Sequence, residues 1–370
     1  MGILSLRIAD FRNLASVGIE PCQQGLNLFW GNNGCGKTSL LEAIHYLGVG
    51  RSFRSGNATS LIRQSTNKFL LFAQLVSESQ ACLPVGVERH LNGTTRLRVA
   101  EKDVSGITEV ASFLPIRVIN AHSHQLFEAG PAFRRKYLDW GLFYQEEAFF
   151  TCWRQFERVL KQRNAVLRDK RPSRELAVWT AELVKIGLVL DAYRRAYVET
   201  ISPFIVEIAA LLLPIKNLTF QYGAGWDETM DFEQALAQQF QLECRSGHTQ
   251  IGPHRADLDV QIEGVPAKHI LSRGQQKLLV CAMILAQGVL LTQQANRGLI
   301  YLVDDLPAEL DLVGRKRLMS LLAKQGSQVF ITAIDSEIVD EFHRDEPNVP
   351  IKLFHVEHGS VTNPAPVSGY

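Results

Sequence analysis

Hydrophobic and polar positions alternate in short runs along the first 130 residues. This spacing, with a period of two, is typical of half-buried strands. Five segments show it: Ser5–Ile8, Leu26–Trp30, Phe69–Val76, Leu83–Arg89 and Arg96–Val99. Asn92-Gly93 separates the last two, and this dipeptide favours the positive φ angles of a tight hairpin. The last three segments therefore predict an antiparallel meander within residues 1–130.

Between about residues 131 and 215 the period becomes helical. Seven apolar positions alternate spacings of three and four, as on a coiled-coil face: Leu176, Trp179, Leu183, Ile186, Leu190, Tyr193 and Tyr197. A preceding helix has apolar residues near one face: Trp153, Phe156, Leu160 and Leu167. A break at 171–173 predicts an antiparallel helical pair, with arms of about 25–30 residues and roughly 40 Å. Ser202-Pro203 predicts the start of another helix.

Strand and helix signals alternate again from about residue 216. The pattern predicts a strand at Leu258–Ile262, a helix at Gln276–Leu291, and buried parallel strands at Leu299–Val303 and Val329–Ala333. The chain is thus predicted to be an α/β protein in three parts: 1–130, an inserted helical arm at 131–215, and 216–370.

Charge and cysteine usage narrow the class of protein. With 39 Lys and Arg against 38 Asp and Glu, the net charge is +1, so any nucleic-acid surface must be a local patch. The six cysteines form no CxxC pair, which favours a reducing cytosol. Polar residues interrupt the apolar start of the chain, and the longest apolar run, Leu278–Leu291, is too short to span a bilayer. We expect a cytoplasmic protein without a membrane segment.

The most informative motif is a phosphate-binding loop that matches G-x-x-x-x-G-K-[ST] in full. It reads Gly31, Asn32, Asn33, Gly34, Cys35, Gly36, Lys37 and Thr38. A predicted strand precedes the loop, and a helix with apolar residues on one face follows it. Backbone N–H groups of such a loop converge on a phosphate, Lys37 reaches the β- and γ-phosphates, and Thr38 ligates Mg²⁺. The sequence therefore predicts binding of a nucleoside triphosphate, ATP, with Mg²⁺.

An acidic pair follows the predicted strand Leu299–Val303. Carboxylates at the end of a buried strand are costly unless a cation lies beside them. Asp304 is the predicted Mg²⁺ ligand, and Asp305 is predicted to polarise the attacking water. A simple turn cap is the alternative.

A third motif, Ser272-Arg273-Gly274-Gln275-Gln276, opens an apolar helix 32 residues before Asp304. Ser272 and Gln275 form a capping box, so the motif alone could be only a helix start. Beside the other two motifs it resembles the ABC-type signature. That resemblance implies that Ser272, Gly274 and Gln275 act on the γ-phosphate of ATP bound to another protomer.

These motifs together resemble the RecF family of bacterial recombination and repair ATPases, which are related to the heads of SMC proteins. The resemblance also rests on ordered segments along the chain: Phe11-Arg12-Asn13, Leu40-Leu41-Glu42-Ala43, Gly50-Arg51-Ser52-Phe53-Arg54, Gly130-Pro131, Arg134-Arg135, Leu138-Asp139, Gly252-Pro253-His254-Arg255 and Glu309-Leu310-Asp311.

The resemblance implies an ABC/SMC-type ATPase head and an ATP-dependent homodimer. It implies recognition of gapped DNA at single-strand/double-strand junctions, slow DNA-stimulated ATP hydrolysis, and loading of RecA with RecO and RecR in gap repair, replication and the SOS response. A transporter ATPase subunit, a structural SMC-like chromosome-organising head and a nucleotide kinase are the alternatives.

The chain departs from the family pattern in one loop and from ABC transporters at two positions. Asn120–Ser123 replaces a Ser-Pro-Glu-Asp-like stretch, and Asp305 stands where most ABC-type enzymes have glutamate. No histidine follows Val329–Ala333, so Thr332 or Asp335 is the candidate γ-phosphate sensor.

Two basic clusters are candidate DNA contacts. Arg154, Arg158 and Lys161 share one helix face, while Arg51 and Arg54 follow the phosphate-loop helix. Such residues bind phosphates without reading bases. A merely solvated helix face is the alternative for the first cluster.

Overall fold

The computed structural model describes residues 2–76, 81–169, 173–295, 297–305 and 310–362. The chain divides into two compact units, the first made of residues 1–123 and 291–370 and the second of residues 124–290.

Two sheets and the helices between their strands build the first unit. Before the second unit its elements are β1 (Gly2–Phe11), β2 (Leu14–Ile19), β3 (Gly25–Trp30), α1 (Lys37–Val49), β4 (Lys68–Val76), β5 (Cys82–His90), β6 (Thr95–Val99), β7 (Lys102–Val104), α2 (Ile107–Phe113) and β8 (Ile116–Ile119). The second unit contains α3 (Gln125–Glu128), α4 (Pro131–Gln145), α5 (Phe149–Arg168), α6 (Ser173–Leu212), β9 (Leu218–Gly223), α7 (Phe232–Ser246), β10 (Asp257–Ile262), β11 (Val265–Pro266), α8 (Ala267–Ile270) and α9 (Arg273–Ala295), which extends past residue 290. The chain then returns through β12 (Ile300–Val303), α10 (Leu312–Lys324), β13 (Gln328–Ala333), α11 (Glu337–Asp345), β14 (Ile351–Glu357) and β15 (Ser360–Thr362).

The predicted meander is confirmed as an antiparallel sheet of order β2-β1-β4-β5-β6-β7. Its inner face packs on the apolar side of α1, where Leu40, Leu41 and Ile44 are fully buried. The hairpin between β5 and β6 turns at Gly93, whose φ of 91° is easy only for glycine. This sheet therefore holds the helix that leaves the phosphate loop.

The second sheet, of order β15-β14-β3-β13-β12-β8, is parallel except at β15. Every residue of β12 and β13 is buried, as predicted for strands covered on both faces. Because β3, β12 and β13 are parallel, their carboxyl ends meet at one edge. Ligands of open α/β sheets bind at that edge, and both the phosphate loop and the acidic pair begin there.

The helical pair is confirmed, but its arms are unequal. α5 has 20 residues and α6 has 40, against the predicted 25–30 for each. Leu176, Leu183, Ile186, Leu190 and Tyr197 of the predicted seam are buried. The predicted break falls largely on residues 170–172, which lie outside the described residues.

The helix start predicted at Ser202-Pro203 is wrong, since α6 continues through Pro203. Ser202 caps no helix, because its hydroxyl donates a hydrogen bond of 2.6 Å back to the Val198 carbonyl. Ile201 and Ile205, on either side of the proline, are both buried. Packing along the helix thus overrides the local signal.

The second unit also includes residues 216–290, which the sequence pattern groups with the C-terminal part of the ATPase. Arginines of α4 and α6 connect this segment to the helices. Arg194 donates a hydrogen bond of 2.6 Å to the Pro253 carbonyl, and Arg134 pairs with Asp257 at 2.6 Å. The compact units therefore differ from the three predicted parts.

Among the described residues, one helix, Arg273–Ala295, is long and apolar enough to cross a membrane by length and composition. Most of the apolar stretch of this helix is buried inside the protein.

We expect the second unit to lose stability when the buried Arg163–Glu243 ion pair is broken. Arg163 donates hydrogen bonds to Glu243 (2.7 Å), Thr249 (2.7 Å) and Thr180 (3.0 Å), and both charged side chains are almost fully buried. Arg163→Leu leaves the Glu243 carboxylate buried without a cation, which costs about 3–5 kcal/mol. Chemical denaturation measures this loss of unfolding free energy.

The exposed Arg158 on the same helix provides the control, and Arg158→Leu should leave stability nearly unchanged. The double variant Arg163→Leu/Glu243→Leu should recover part of the loss, because it removes the unpaired charge. A stability of Arg163→Leu equal to that of the native chain would contradict this account.

Candidate nucleotide-binding site

The phosphate loop connects the buried strand β3 to α1, in the strand–loop–helix order that its chemistry needs. Gly31 has a φ of 148°, and a Cβ there would lie 2.2 Å from the Val356 carbonyl oxygen. Gly36 has a φ of 124°, with Leu14 and Asn13 side chains close to the position of a Cβ. Glycine is therefore required at both positions. Asn32, Asn33 and Gly34 are exposed between them, so backbone N–H groups can face a ligand.

Lys37 folds back over the loop that it follows. Its ammonium group donates hydrogen bonds to the carbonyl oxygens of Gly31, at 2.6 Å, and Asn32, at 2.9 Å. The Cys35 carbonyl in turn accepts from the Gly359 N–H at 2.8 Å, which anchors the buried side of the loop. The cation thus lies at the loop, where a bound phosphate would supply stronger, charge-assisted partners.

Asp304 is the centre of the polar edge of the parallel sheet. Its Oδ1 atom accepts hydrogen bonds from the hydroxyls of Thr38, at 2.9 Å, and Thr332, at 3.0 Å. Burial raises the pKa of the Asp304 carboxyl, while these two hydrogen bonds and the charge of Arg54 lower it. The structure therefore places the two predicted Mg²⁺ ligands, Thr38 and Asp304, side by side.

The chemistry of this pair fits Mg²⁺, which binds one or two protein oxygens and completes its coordination with water and phosphate oxygens. Within the described residues no cluster of three or more His, Cys, Asp or Glu side chains could hold a metal without such help. A metal here would thus be held by Thr38 and Asp304 together with the nucleotide.

Thr332 joins the two aspartates of the acidic pair. Besides donating to Asp304, its hydroxyl accepts a hydrogen bond of 2.8 Å from the Asp305 backbone N–H. Asp305 has a φ of 55°, a left-handed conformation that is uncommon for a residue other than glycine, and its side chain is exposed. Asp335, the other candidate sensor, is exposed beyond the end of β13.

A charged anchor that the sequence analysis did not identify fixes the phosphate-loop helix. Arg12 makes a bidentate ion pair with the fully buried Glu42 of α1, with distances of 2.9 and 2.8 Å. Asn13 accepts a hydrogen bond from Ser39 at 2.8 Å. The sequence did contain a signal for such a pair. Glu42 lies among apolar residues on the buried face of a predicted helix, and a buried charge requires a partner.

The loop that carries Arg51 and Arg54 is attached to the same helix. Ser52 donates a hydrogen bond to Glu42, and its hydroxyl accepts the backbone N–H of Arg54 at 2.8 Å. His45 of α1 contacts the Arg51 carbonyl at 2.8 Å. Arg51 and Arg54 are exposed, and Arg54 lies near enough to Asp304 to affect its pKa. This basic loop therefore borders the candidate nucleotide site.

The signature motif begins α9 in the second unit, whereas the phosphate loop belongs to the first unit. Its capping box is reciprocal: the Ser272 N–H donates to Gln275 Oε1 at 3.0 Å, and the Gln275 N–H donates to Ser272 Oγ at 3.3 Å. Ser272 is exposed and Gly274 is partly exposed. The helix start is thus accessible to a ligand, and its action on ATP stays a prediction.

The remaining predicted positions are mostly exposed. Arg154, Arg158 and Lys161 point outward from α5. In the loop 120–123, the His122 N–H donates to Asn120 Oδ1 at 2.9 Å, which forms a side-chain turn. Glu309 lies outside the described residues, and Asp311 caps α10 through the Gly314 N–H at 2.7 Å.

Comparison with known proteins decides the family. The model of the RecF/RecN/SMC N-terminal domain matches residues 2–362. The "DNA replication and repair protein RecF" of Shewanella frigidimarina is 40% identical over 362 residues, which are 98% of this chain and 99% of that protein. The protein of the same description from Cellvibrio japonicus is 40% identical over 366 residues, 99% and 100% of the two chains. This chain belongs to the RecF family.

Solved structures confirm the predicted fold class. A structure of "the recombination mediator protein RecF-ATP in RecFOR pathway" has a TM-score of 0.85 and 24% identity, with 98% of each chain covered. An Smc head bound to the C-terminal winged-helix domain of ScpA has a TM-score of 0.59 and 14% identity, with 99% and 98% covered. At these identities the likeness shows the fold, which is the ATPase head shared by RecF and SMC proteins.

The attachment of the basic loop to α1 should make stability sensitive to acid. Burial lowers the pKa of His45 to about 4, from an ordinary value near 6.5, so the neutral ring donates to the Arg51 carbonyl. Between these two values the unfolded chain binds more protons than the folded chain, so stability falls as the pH decreases from 6.5 towards 4. His45→Asn, which retains a donor but does not titrate there, should reduce this fall.

Thermal unfolding at pH 7 and pH 5 measures the difference. His358→Asn is the control, because His358 is exposed and its positive φ of 46° suits asparagine. Equal losses of melting temperature in the native chain and in His45→Asn would contradict the role assigned to His45.

Proposed function

We propose that this chain is an ATP-dependent DNA-binding ATPase of recombinational gap repair. It dimerises around ATP at single-strand/double-strand DNA junctions and helps RecO and RecR to load RecA, with roles in DNA replication and the SOS response. The observation that carries the proposal is the 2.9 Å hydrogen bond between Thr38 and Asp304 beside the loop of Lys37. This arrangement occurs in a chain of the RecF family, whose relatives are described as DNA replication and repair proteins.

In the proposed ATPase cycle, the loop N–H groups and Lys37 hold the β- and γ-phosphates. Mg²⁺ bound between Thr38 and Asp304 would neutralise charge on the phosphate oxygens. Asp305 orients the attacking water, and Thr332 fixes the backbone of Asp305 relative to Asp304. Because the Asp305 side chain is exposed, a second copy of the chain can contact it and complete the site.

The proposed dimer places Ser272, Gly274 and Gln275 of one copy on the γ-phosphate bound to the other copy. A capped and exposed helix N-terminus favours an anion through its free N–H groups and dipole. In the first unit, three large apolar side chains that follow β12 and β13 along the chain are more than half exposed: Leu312, Val313 and Ile334. Exposed apolar side chains of this size favour a surface that a partner covers.

The alternatives fit the molecule less well. A chromosome-organising head would carry arms hundreds of residues long, whereas α5 and α6 have 20 and 40 residues. A transporter subunit would carry a histidine after β13, where this chain has Ile334 and Asp335. The nucleotide-kinase alternative does not explain the signature motif at the start of α9.

Lys37→Met should weaken ATP binding by about 100-fold, because it removes two charge-assisted hydrogen bonds to phosphate. Isothermal titration calorimetry with ATP and Mg²⁺ measures the affinity. Lys324→Met is the control, since Lys324 is an exposed residue of α10 in the same unit. Unchanged affinity in Lys37→Met would refute the role of this lysine.

Ser272→Arg should leave ATP binding by each subunit intact and abolish the ATP-dependent dimer, because the larger side chain blocks the helix N-terminus. Sedimentation velocity with and without ATP distinguishes monomer from dimer. Ser272→Thr retains the hydroxyl and should still dimerise. A stable dimer of Ser272→Arg would show that the signature does not act across two copies.

A further inference from the structure

A continuous aromatic cluster lies where α4 meets α5, in the second unit. Phe143 and Phe150 meet edge to face with ring centroids 5.4 Å apart, and Phe150 and Trp153 follow at 6.1 Å. The cluster continues through the buried Tyr144 to Trp140. Phe143, Phe150 and Trp153 are all partly exposed. Single exposed apolar residues are ordinary, but a contiguous group of partly exposed rings is a candidate binding surface.

The planes of two of these rings are nearly parallel. The interplanar angle between Phe150 and Trp153 is 16°. Both residues lie in the first two turns of α5, which packs against α6. The helix therefore holds the two ring planes in a common orientation.

Basic residues extend this aromatic surface along α5, and we call the rings and the basic residues together the stripe. The Arg154 guanidinium lies 5.8 Å from the centre of the Phe150 ring, and Arg158 and Lys161 follow on that face. Residues 150, 154, 158 and 161 succeed one another at helical spacing, over about 17 Å of helix at 1.5 Å per residue. Glu157 is the acidic residue of this stretch, so cations outnumber it three to one.

Together these features define what the stripe can bind. Aromatic rings beside arginine form a platform for unpaired bases, because every base has a π-face, while a row of cations follows the phosphate backbone. Bases within a duplex are already stacked on each other and do not expose those faces. An apolar protein segment would cover the rings but leave the three cations without partners.

We propose that Phe150 and Trp153 stack the unpaired bases of single-stranded DNA, whose phosphates lie along Arg154, Arg158 and Lys161. This proposal rests on the proposed function and adds to it the place where the single-stranded side of a junction is held. Stacking is tolerant of sequence, so the stripe selects unpaired strands rather than particular bases.

The test separates contacts to bases from contacts to phosphates. Fluorescence anisotropy measures the binding of the full chain, with ATP and Mg²⁺, to two labelled 20-mers: oligodeoxythymidylate and an abasic strand of the same length. The native chain should bind the strand with bases at least fivefold more tightly. Phe150→Ala and Trp153→Ala should each reduce this preference several-fold and leave the affinity for the abasic strand unchanged.

Matched variants identify stacking as the cause. Trp153→Phe should retain most of the preference, and Phe240→Ala, which removes an exposed aromatic ring of α7, should retain all of it. Arg158→Ala should weaken both strands equally and reduce the slope of log affinity against log salt by about 1, whereas the aromatic variants should leave that slope unchanged. Melting temperatures close to that of the native chain verify that each variant is folded.

Two results would overturn the stacking proposal. One is equal affinity of the native chain for the two strands, and the other is a full preference in the double variant Phe150→Ala/Trp153→Ala. Either result would show that the rings do not stack on unpaired bases. If duplex DNA still binds, the proposed function survives such a result, but a chain that binds neither duplex nor single strands would refute the proposed function itself.

Discussion

The hydrogen bonds to one carboxylate, that of Asp304, organise the edge at which the parallel sheet meets solvent. β12 is buried throughout and ends in a charge, which is costly at that depth. Thr38 from the phosphate-loop helix and Thr332 from β13 offset part of that cost, and Thr332 also holds the backbone of Asp305. Burial still raises the pKa of Asp304. A divalent cation would offset the remaining cost, so the same burial that opposes the charge favours metal binding.

Buried ion pairs repeat this arrangement elsewhere in both units. Glu42 is fully buried and paired with Arg12, and Glu243 is paired with Arg163. Such pairs add little net stability compared with apolar residues of similar size, although breaking one is expensive. Their geometric effect is larger, because a bidentate pair fixes orientation. Arg12 thereby ties α1 to the end of β1, and Asn13 contacts the helix at Ser39.

Local patterns predicted the elements whose signals are themselves local. The strands of the meander, the phosphate loop, the buried strand before Asp304 and the capping box of Ser272 were all predicted from short stretches of sequence. Contacts between distant residues were not predicted. The apolar neighbours of Glu42 indicate that its charge needs a partner, but no local pattern identifies Arg12 as that partner or pairs Arg163 with Glu243. The helix start at Ser202 failed for the same reason, because buried neighbours of Pro203 determine the outcome. The sequence pattern likewise grouped residues 216–290 differently, since Arg134 and Arg194 join them to the helices only in three dimensions.

The basic loop of Arg51 and Arg54 shows how DNA and nucleotide could act on one another within the first unit. Ser52 contacts Glu42 and His45 contacts the Arg51 carbonyl, so the loop is attached to α1 at two points. Arg54 also influences Asp304 through its charge. A DNA phosphate that neutralises Arg54 would remove part of the field that favours the ionised carboxylate, and a displaced loop would act on the helix that carries Lys37 and Thr38. Binding free energies are reciprocal. If DNA bound to this loop changes the affinity for nucleotide by some factor, the nucleotide must change the affinity for DNA by the same factor. The connection from the Arg51–Arg54 loop to α1 would therefore be sufficient to couple DNA binding to nucleotide binding, without a long chain of intervening residues.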